Sequence, residues 1–417
     1  MSGSVATLAS TMMMDEAGAQ TARRPVETGA ERLVASGYER LSGRRVALVT
    51  NHTGLVVGTH LADLMAGSGK LWLTAILAPE HGFRGQVEAG KKVRDEVDPR
   101  TKAPVHSLYG ATRKPTRDML RNIDVVVFDI QDIGARFYTY ISTMGLAMQA
   151  AAEARIPFVV LDRPNPLGGI DVSGFMLQPA HRSFVGQYTI PIVHGMTVGE
   201  LARMIKGQRL LDGLDTLELD VIEMKGWRRA MRWPATGHPW VPTSPNIPTF
   251  ASALVYPGIG MVGELDVNEG RGTPIPFQQF GAPWLDAERL AGDLNAAKLA
   301  GIRFSATRYT PRAIPGVAAD PRFENAEVQG IKLAVSDVDA VRPLEIGMHA
   351  MARIVAAARA KRIRSIYKSV KMFDAIAGTT RLREMLDRGA TGEDIIAAWQ
   401  SEVRTFSEHR KPYLLYT

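Results

Sequence analysis

The sequence predicts an α/β protein in two parts: a doubly wound parallel sheet, then a smaller α+β region. Three observations carry this. Short β-branched runs such as Val125-Val126-Val127 alternate with small-residue helical stretches such as Ser142 to Ala154, the signature of strand–helix–strand units. The runs are continuous rather than alternating, as in strands buried on both faces. After about Gly213 the pattern changes to proline- and glycine-rich passages, followed by helices and alternating strands.

Taken in order, residues 1 to 28 are expected to be a disordered tail or the remnant of a signal. Val5 to Met14 is weakly apolar and Ala17-Gly18-Ala19 resembles a small-residue cleavage site, but no basic stretch precedes the apolar run. The first domain is expected over 29–212. A helical turn at Ala30 to Gly37 leads to a strand, Arg45 to Thr50, which ends in Asn51-His52-Thr53-Gly54. A helix near His60 to Met65 follows. The next strand, Leu71 to Leu77, ends in Ala78-Pro79-Glu80-His81-Gly82-Phe83-Arg84-Gly85. Gln86 to Arg117 is a charged, glycine- and proline-bearing segment. Its length predicts a functional flap or an extra hairpin rather than a bare loop.

Val125 to Phe128 is the central strand. It breaks abruptly into Asp129, Gln131, Asp132, Arg136 and Tyr138. The helix Ser142 to Ala154 and a strand at Pro157 to Leu161 follow, the latter ending in Asp162-Arg163-Pro164-Asn165. A strand is expected at Ile190 to His194. Thr197 and Glu200 then form a capping box that opens a helix, Val198 to Ile205. His194 would sit near that helix's positive end.

The second domain is expected over 213–417, with cleft-lining loops at 240–284. Leu217 to Met224 reads as an exposed strand. Trp233 to Pro257 is too rich in proline for helix or regular strand. Helices are expected at Ala287 to Leu299, Ile346 to Ala358, Thr380 to Arg388 and Glu393 to Glu402, and strands at Ile302 to Thr310 and Gln329 to Val335.

Composition excludes several classes of function. The 417-residue chain has no cysteine, so disulfides, thiolate metal sites and a cysteine nucleophile are ruled out. A formal charge of +7 would suit an anionic partner. The densest basic run, Arg359 to Lys371, has the spacing of a solvated helix face, so no nucleic-acid partner is expected. No apolar run approaches the ~18 residues of a membrane span. None of the four polar clusters that end the strands matches GxGxxG or GxxxxGK[ST], so the sheet is Rossmann-like without a dinucleotide or any other cofactor being implied.

The chemistry lies in the polar clusters that end the strands. Four clusters at one sheet edge, three with carboxylates and three with arginine, point to a shared pocket. A carboxyl held partly desolvated at a strand end, as Glu80 is, can serve as general acid. Asp129 or Asp132 can supply a second carboxylate, and Glu264 or Glu269 can do so from the second domain. Paired carboxylates across a cleft are what glycosidic cleavage requires. Arg84, Arg136, Arg163 and Arg271 offer forks for a substrate carboxylate. Phe83, Tyr138, Tyr140, Trp240 and Trp284 offer faces for sugar rings. One rival is a metal-dependent hydrolase using His52, His81, Glu80, Asp129 and His194, although HExxH is missing. Another is a binding protein that keeps the pocket without turnover, which the resemblance described below would make a muropeptide-binding protein. No GxSxG elbow supports a serine triad.

The motifs PEHGFRG, FDIQDIGARFYTYISTM, LDRPNPLGG, HGMTVGELA, PTSPNIPT, GRGTPIPFQQFGAPW and RKPYLLY occur in one order from Asn51 to the C-terminus. Together they resemble the DUF1343 family of exo-β-N-acetylmuramidases, glycoside hydrolase family 171. The resemblance implies a Rossmann-like domain followed by a smaller α+β domain, with the active site in the cleft between them. It implies hydrolysis releasing N-acetylmuramic acid from the non-reducing end of peptidoglycan-derived muropeptides or disaccharides, in the periplasm or outside the cell, with no metal. By the same resemblance Glu80 is the general acid, with Asp132 or Asp129 as the second group. Asn51, His81, Arg84, Gln131, Arg136, Tyr138, Arg163, Asn165, His194, Glu269 and Arg271 would bind substrate. One departure stands out. Where the family reads approximately EGTNVSEGRGT, this chain has GELDVNEGRGT. Leu265 and Asp266 depart from that pattern, which puts an extra acid near the expected pocket and bears on sugar specificity.

Overall fold

The computed structural model describes residues 25–84 and 95–417. Most of the expected N-terminal tail and part of the Gln86–Arg117 segment lie outside these residues. The larger sheet contains six parallel strands: β1 (Arg45–Thr50), β2 (Trp72–Ala78), β3 (Pro104–Ser107), β4 (Val125–Asp129), β5 (Phe158–Leu161) and β6 (Leu219–Ile222). Their order is β3-β2-β1-β4-β5-β6, and a short antiparallel strand, Glu96–Val97, flanks β3.

The continuous apolar runs have the cause expected of them. Successive residues of one strand enter different cores. Val46, Leu48, Val125 and Val127 pack on one face with Leu33 and Leu61. Ala47, Val49, Val126 and Phe128 pack on the other face with α1 (Tyr140–Ala154) and α2 (Val198–Gly207). With both faces covered, no position can be polar until the strand ends. The predicted capping box is present. The Thr197 side chain accepts from the Glu200 backbone, and Glu200 accepts from the Thr197 N–H.

The second part holds an antiparallel sheet of β7 (Gln279–Ala282), β8 (Ile302–Tyr309) and β9 (Val328–Val335), in the order β7-β9-β8. Beside it lie α3 (Phe250–Val262), α4 (Pro343–Ala360) and α5 (Gly392–Arg410). Helices α3 and α4 meet at glycines. A Cβ on Gly347 would lie 2.6 Å from the Gly258 Cα, so the backbones approach as closely as side-chain-free residues allow. The chain end returns to the first sheet, where the Tyr416 hydroxyl donates to Asp162 Oδ2 at 2.6 Å and the Leu415 N–H to Glu200 Oε1 at 2.9 Å.

Three expectations are corrected and one is met. The strand near residue 220, expected to be exposed and in the second domain, pairs with β5. The first sheet therefore runs past residue 212. Ile190 to His194 is not a strand; Val193 makes only isolated bridges to Ala135 and Ser173. The Gln86–Arg117 segment does hold the expected extra hairpin, Glu96–Val97 paired antiparallel with β3, and β3 also joins the larger sheet in parallel. Helix α3 runs through Pro257, which the proline-rich reading had excluded. Burial of that helix against α4 outweighs the lost hydrogen bond.

Candidate active site

The strand order reverses between β1 and β4, and in open α/β sheets ligands bind outside the carboxyl ends at such a switch point. A cleft of about 190 Å³ opens at this edge. From the first part it is lined by Glu80, His81, Tyr109, Tyr138, Thr139 and Tyr140, and from the second by Ser244, Asn246, Tyr256, Glu264, Arg271 and Phe277. The turn after β2 is sharp. His81 and Gly82 both take positive φ, 72° and 75°, and the Gly82 N–H bonds back to the Pro79 carbonyl at 3.0 Å. A histidine in the left-handed region is strained, and such strain concentrates at functional sites.

Glu80 leaves this turn half-buried and facing the cleft. The Thr139 hydroxyl donates to its Oε2 at 2.7 Å. The Tyr109 hydroxyl is held against the same carboxyl. Burial, then the charge of Glu80 and the hydrogen bond to it, push the Tyr109 phenol up to about 12. Two hydroxyls from different loops therefore set the orientation of this carboxyl.

Asp129 and Asp132, the other expected acids, are not among the residues lining the cleft. Asp129 is fully buried with both oxygens on Arg163, at 2.6 Å to Nε and 2.9 Å to Nη2. Arg163 also reaches the Leu55 carbonyl. Asp132 is 5% exposed. Its Oδ2 accepts from the Gly134 N–H at 2.7 Å, and its Oδ1 has no partner. Burial pushes this carboxyl up to about 7, against the Gly134 and Ile133 amides that favour its charge.

Several residues expected to bind substrate hold the scaffold instead of lining the cleft. Asn51 Oδ1 accepts from the Thr53 amide and hydroxyl. The Gln131 amide donates to the Asp132 and Pro164 carbonyls, both at 2.8 Å. Asn165 bonds Met196 and Leu167. His194 accepts from the Met196 N–H, and burial followed by the charges of Arg410 and Arg136 lowers it to about 3, which keeps it neutral. Arg84 is taken by Asp98 at 2.8 Å and Asp63 at 3.3 Å. Arg136 is wholly buried and donates to the carbonyls of Phe175, Ile190 and Ile376, so it ties the two parts together. Glu80, His81, Tyr138, Tyr140, Glu264 and Arg271 are the expected residues that do reach the cleft.

In the second part, Glu269 is buried between Arg271, 2.6 Å away, and Lys368, 3.6 Å away. Burial raises its pKa, but the two cations outweigh burial and the net shift is downward. Arg271 keeps 40% of its side chain exposed, and its Nε has no hydrogen-bond partner. The departure at Leu265-Asp266 turns away from the cleft. Leu265 is core, and Asp266 pairs with Arg322.

Residues the sequence reading did not single out include Tyr109, Thr139, Asn246 and Tyr256. Tyr256 sits in an apolar helix and looks like core until Phe137, Tyr138 and Phe277 are seen stacked edge-on or tilted around it at 4.8 to 5.8 Å. Of the expected aromatic platforms, Tyr138 and Tyr140 line the cleft. Phe83 packs on His60, and Trp240 packs on Trp233 and Phe250. Among the described residues no group of three or more His, Asp or Glu could hold a metal ion. His52, one of the rival ligands, is bonded to the Pro242 carbonyl at 2.5 Å.

The Asp132 geometry makes a pH prediction. Its folded pKa, about 7, lies above the unfolded value of 3.8, so the folded state holds a proton that the unfolded state has lost. Stability conferred by the protonated form is complete below pH 4 and is lost as pH rises towards 7. Relative to Asp132→Asn, the wild-type urea midpoint should therefore fall over that window, with a slope of up to about 1.4 kcal/mol per pH unit. Parallel profiles would show that Asp132 is ionised in the fold.

A family model described as exo-beta-N-acetylmuramidase NamZ, N-terminal, matches residues 46–251, and its C-terminal counterpart matches residues 254–416. This chain belongs to the NamZ family. It is 40% identical over 407 residues to the peptidoglycan beta-N-acetylmuramidase NamZ of Bacillus subtilis (strain 168), covering 95% of this chain and 93% of that protein. A DUF1343-family protein from Bacteroides fragilis NCTC 9343 matches with a TM-score of 0.86 and 38% identity, over 95% of this chain and all of that one. A second from the same organism gives 0.75 and 33%, over 94% and 99%. The resemblance carried by the motifs is thus borne out along the chain. The two-part NamZ fold is shared with solved relatives.

Proposed function

We propose that this protein is a glycoside hydrolase, an exo-acting β-N-acetylmuramidase that releases N-acetylmuramic acid from the non-reducing end of peptidoglycan fragments. Membership of the NamZ family, matched over nearly the whole chain, carries this reading. The cleft supports it chemically. It presents an oriented carboxyl, Glu80, beside aromatic walls for a sugar ring and one accessible guanidinium, Arg271.

Glu80 supplies an essential carboxyl at the scissile bond. Arg271 receives the lactyl carboxylate of muramic acid. Its Nη1 is engaged by Glu269, and the exposed part of the guanidinium is left for a second acid. Asp129 and Asp132 act from behind the wall: Asp129 with Arg163 fixes the end of β4, and Asp132 fixes the turn that follows. Arg84, Arg136 and Arg163 have structural duties.

The test is release of chromophore from a β-N-acetylmuramide and from the matching N-acetylglucosaminide, which lacks only the lactyl ether. The muramide should be hydrolysed faster by orders of magnitude, because a site built around a charged substituent rejects the analogue without it. Dialysis against EDTA should leave the rate unchanged. Cleavage of the glucosaminide alone, or loss of activity to the chelator, would contradict the reading.

A further inference from the structure

The reaction needs a second group that exchanges protons with substrate, and the acids expected from the sequence do not line the cleft. Asp129 is locked onto Arg163, and Asp132 is buried behind the wall. The cleft does contain a second carboxyl, Glu264, which follows the C-terminal end of α3. Glu80 enters this cleft from the first part and Glu264 from the second. The Tyr256 hydroxyl lies within electrostatic reach of both carboxyls, as well as of Glu269 and Arg271.

The three acids of this region have different surroundings. Glu80 accepts from the Thr139 hydroxyl and is held by Tyr109. Glu269 is neutralised by Arg271 and Lys368. Glu264 has no ion-pair partner within 4 Å among the described residues. The groups that face it are Lys368, Glu269, Arg271 and Tyr256. Burial, opposed by Lys368, helped by Glu269 and opposed again by Arg271, raises its pKa. A desolvated carboxyl opposite a second, differently held carboxyl is the usual division between proton donor and its counterpart.

We propose that Glu264 is the second catalytic carboxyl and the proton donor to the departing glycosidic oxygen, with Glu80 serving the anomeric carbon from the opposite wall. The bond between the anomeric carbon and the aglycone oxygen breaks, its electron pair leaves with that oxygen, and the oxygen takes the Glu264 proton. Water supplies the new hydroxyl at the anomeric carbon and returns a proton to the Glu80–Glu264 pair. This assignment rests on the muramidase reading and moves the donor role from Glu80, where the sequence had put it, to Glu264. The hydroxyls aimed at Glu80 suit a carboxylate that accepts.

The experiment compares wild type, Glu264→Gln and Glu264→Asp on two substrates: the disaccharide N-acetylmuramyl-β-1,4-N-acetylglucosamine, and 4-nitrophenyl β-N-acetylmuramide, whose leaving group departs without a proton. On the disaccharide Glu264→Gln should lose about 10³-fold in kcat with KM nearly unchanged, whereas on the nitrophenyl substrate the loss should stay within about tenfold. The alkaline fall of wild-type kcat/KM should disappear in Glu264→Gln, and Glu264→Asp should recover part of the disaccharide rate. Equal loss on both substrates in a variant with wild-type thermal melting, or no loss on either, would overturn the assignment. Failure of the muramidase reading itself looks different: the wild type would cleave neither substrate.

Discussion

Glu80→Gln is expected to abolish turnover while leaving the fold and substrate binding intact. Glutamine keeps the volume of the side chain and an oxygen that can accept the Thr139 hydroxyl, now 2.7 Å from Oε2. It removes the charge and the capacity to gain or lose a proton. Glu80 is half-buried at a turn rather than in a core, so no cavity is made. A group that takes part directly in bond making or proton transfer contributes about 10²- to 10⁴-fold, and a loss of 10³-fold is about 4 kcal/mol of transition-state stabilisation. Steady-state kinetics should therefore show kcat down by about 10³-fold or more with KM little changed. Calorimetric titration with the disaccharide should give wild-type affinity. A variant that keeps a tenth of the wild-type rate would remove Glu80 from the chemistry.

The largest effect on stability should come from Arg163→Met. Asp129 has no exposed surface, and both its oxygens rest on the Arg163 guanidinium. The pair sits at the carboxyl end of β4 beside β1, so it closes the sheet beneath the cleft. Methionine fills part of the space but leaves a buried, uncompensated carboxylate. Breaking such a pair from one side typically costs about 3–5 kcal/mol, and replacing both partners costs far less. The urea midpoint of Arg163→Met should drop accordingly, and Asp129→Asn combined with Arg163→Met should recover part of the loss. Additive losses in the double variant would mean that the two side chains are not coupled.

The elements legible in the sequence are those whose burial is complete. β1, β2, β4 and β5 read as uninterrupted apolar runs because both of their faces are covered, and α2 and α5 announce themselves through Thr197 with Glu200 and Thr391 with Asp394. β3 was not legible because Pro104-Val105-His106-Ser107 alternates in burial at the sheet's margin, and four such residues resemble a loop. The site was legible as a location, since polar clusters at strand ends must gather at one edge. The duties within it were not. An arginine at a strand end reads the same whether it faces solvent or, like Arg136, is enclosed by three carbonyls. An aspartate gives no sign that its partner, Arg163, comes from the next strand. Tyr256 is hidden by the apolar helix that carries it, and Glu264 stood as only one of two acids until Glu269 was seen held by Arg271 and Lys368.

The central claim is that the cleft at the carboxyl edge of the larger sheet removes a terminal N-acetylmuramic acid. Its most direct test is a time course on a reducing-end-labelled peptidoglycan oligosaccharide that begins with N-acetylmuramic acid, followed by mass spectrometry, with Glu80→Gln alongside. Free N-acetylmuramic acid and an oligosaccharide shortened by one sugar should appear with the wild type and not with the variant. Internal cleavage products from the wild type, or the same products from Glu80→Gln at the wild-type rate, would contradict the account.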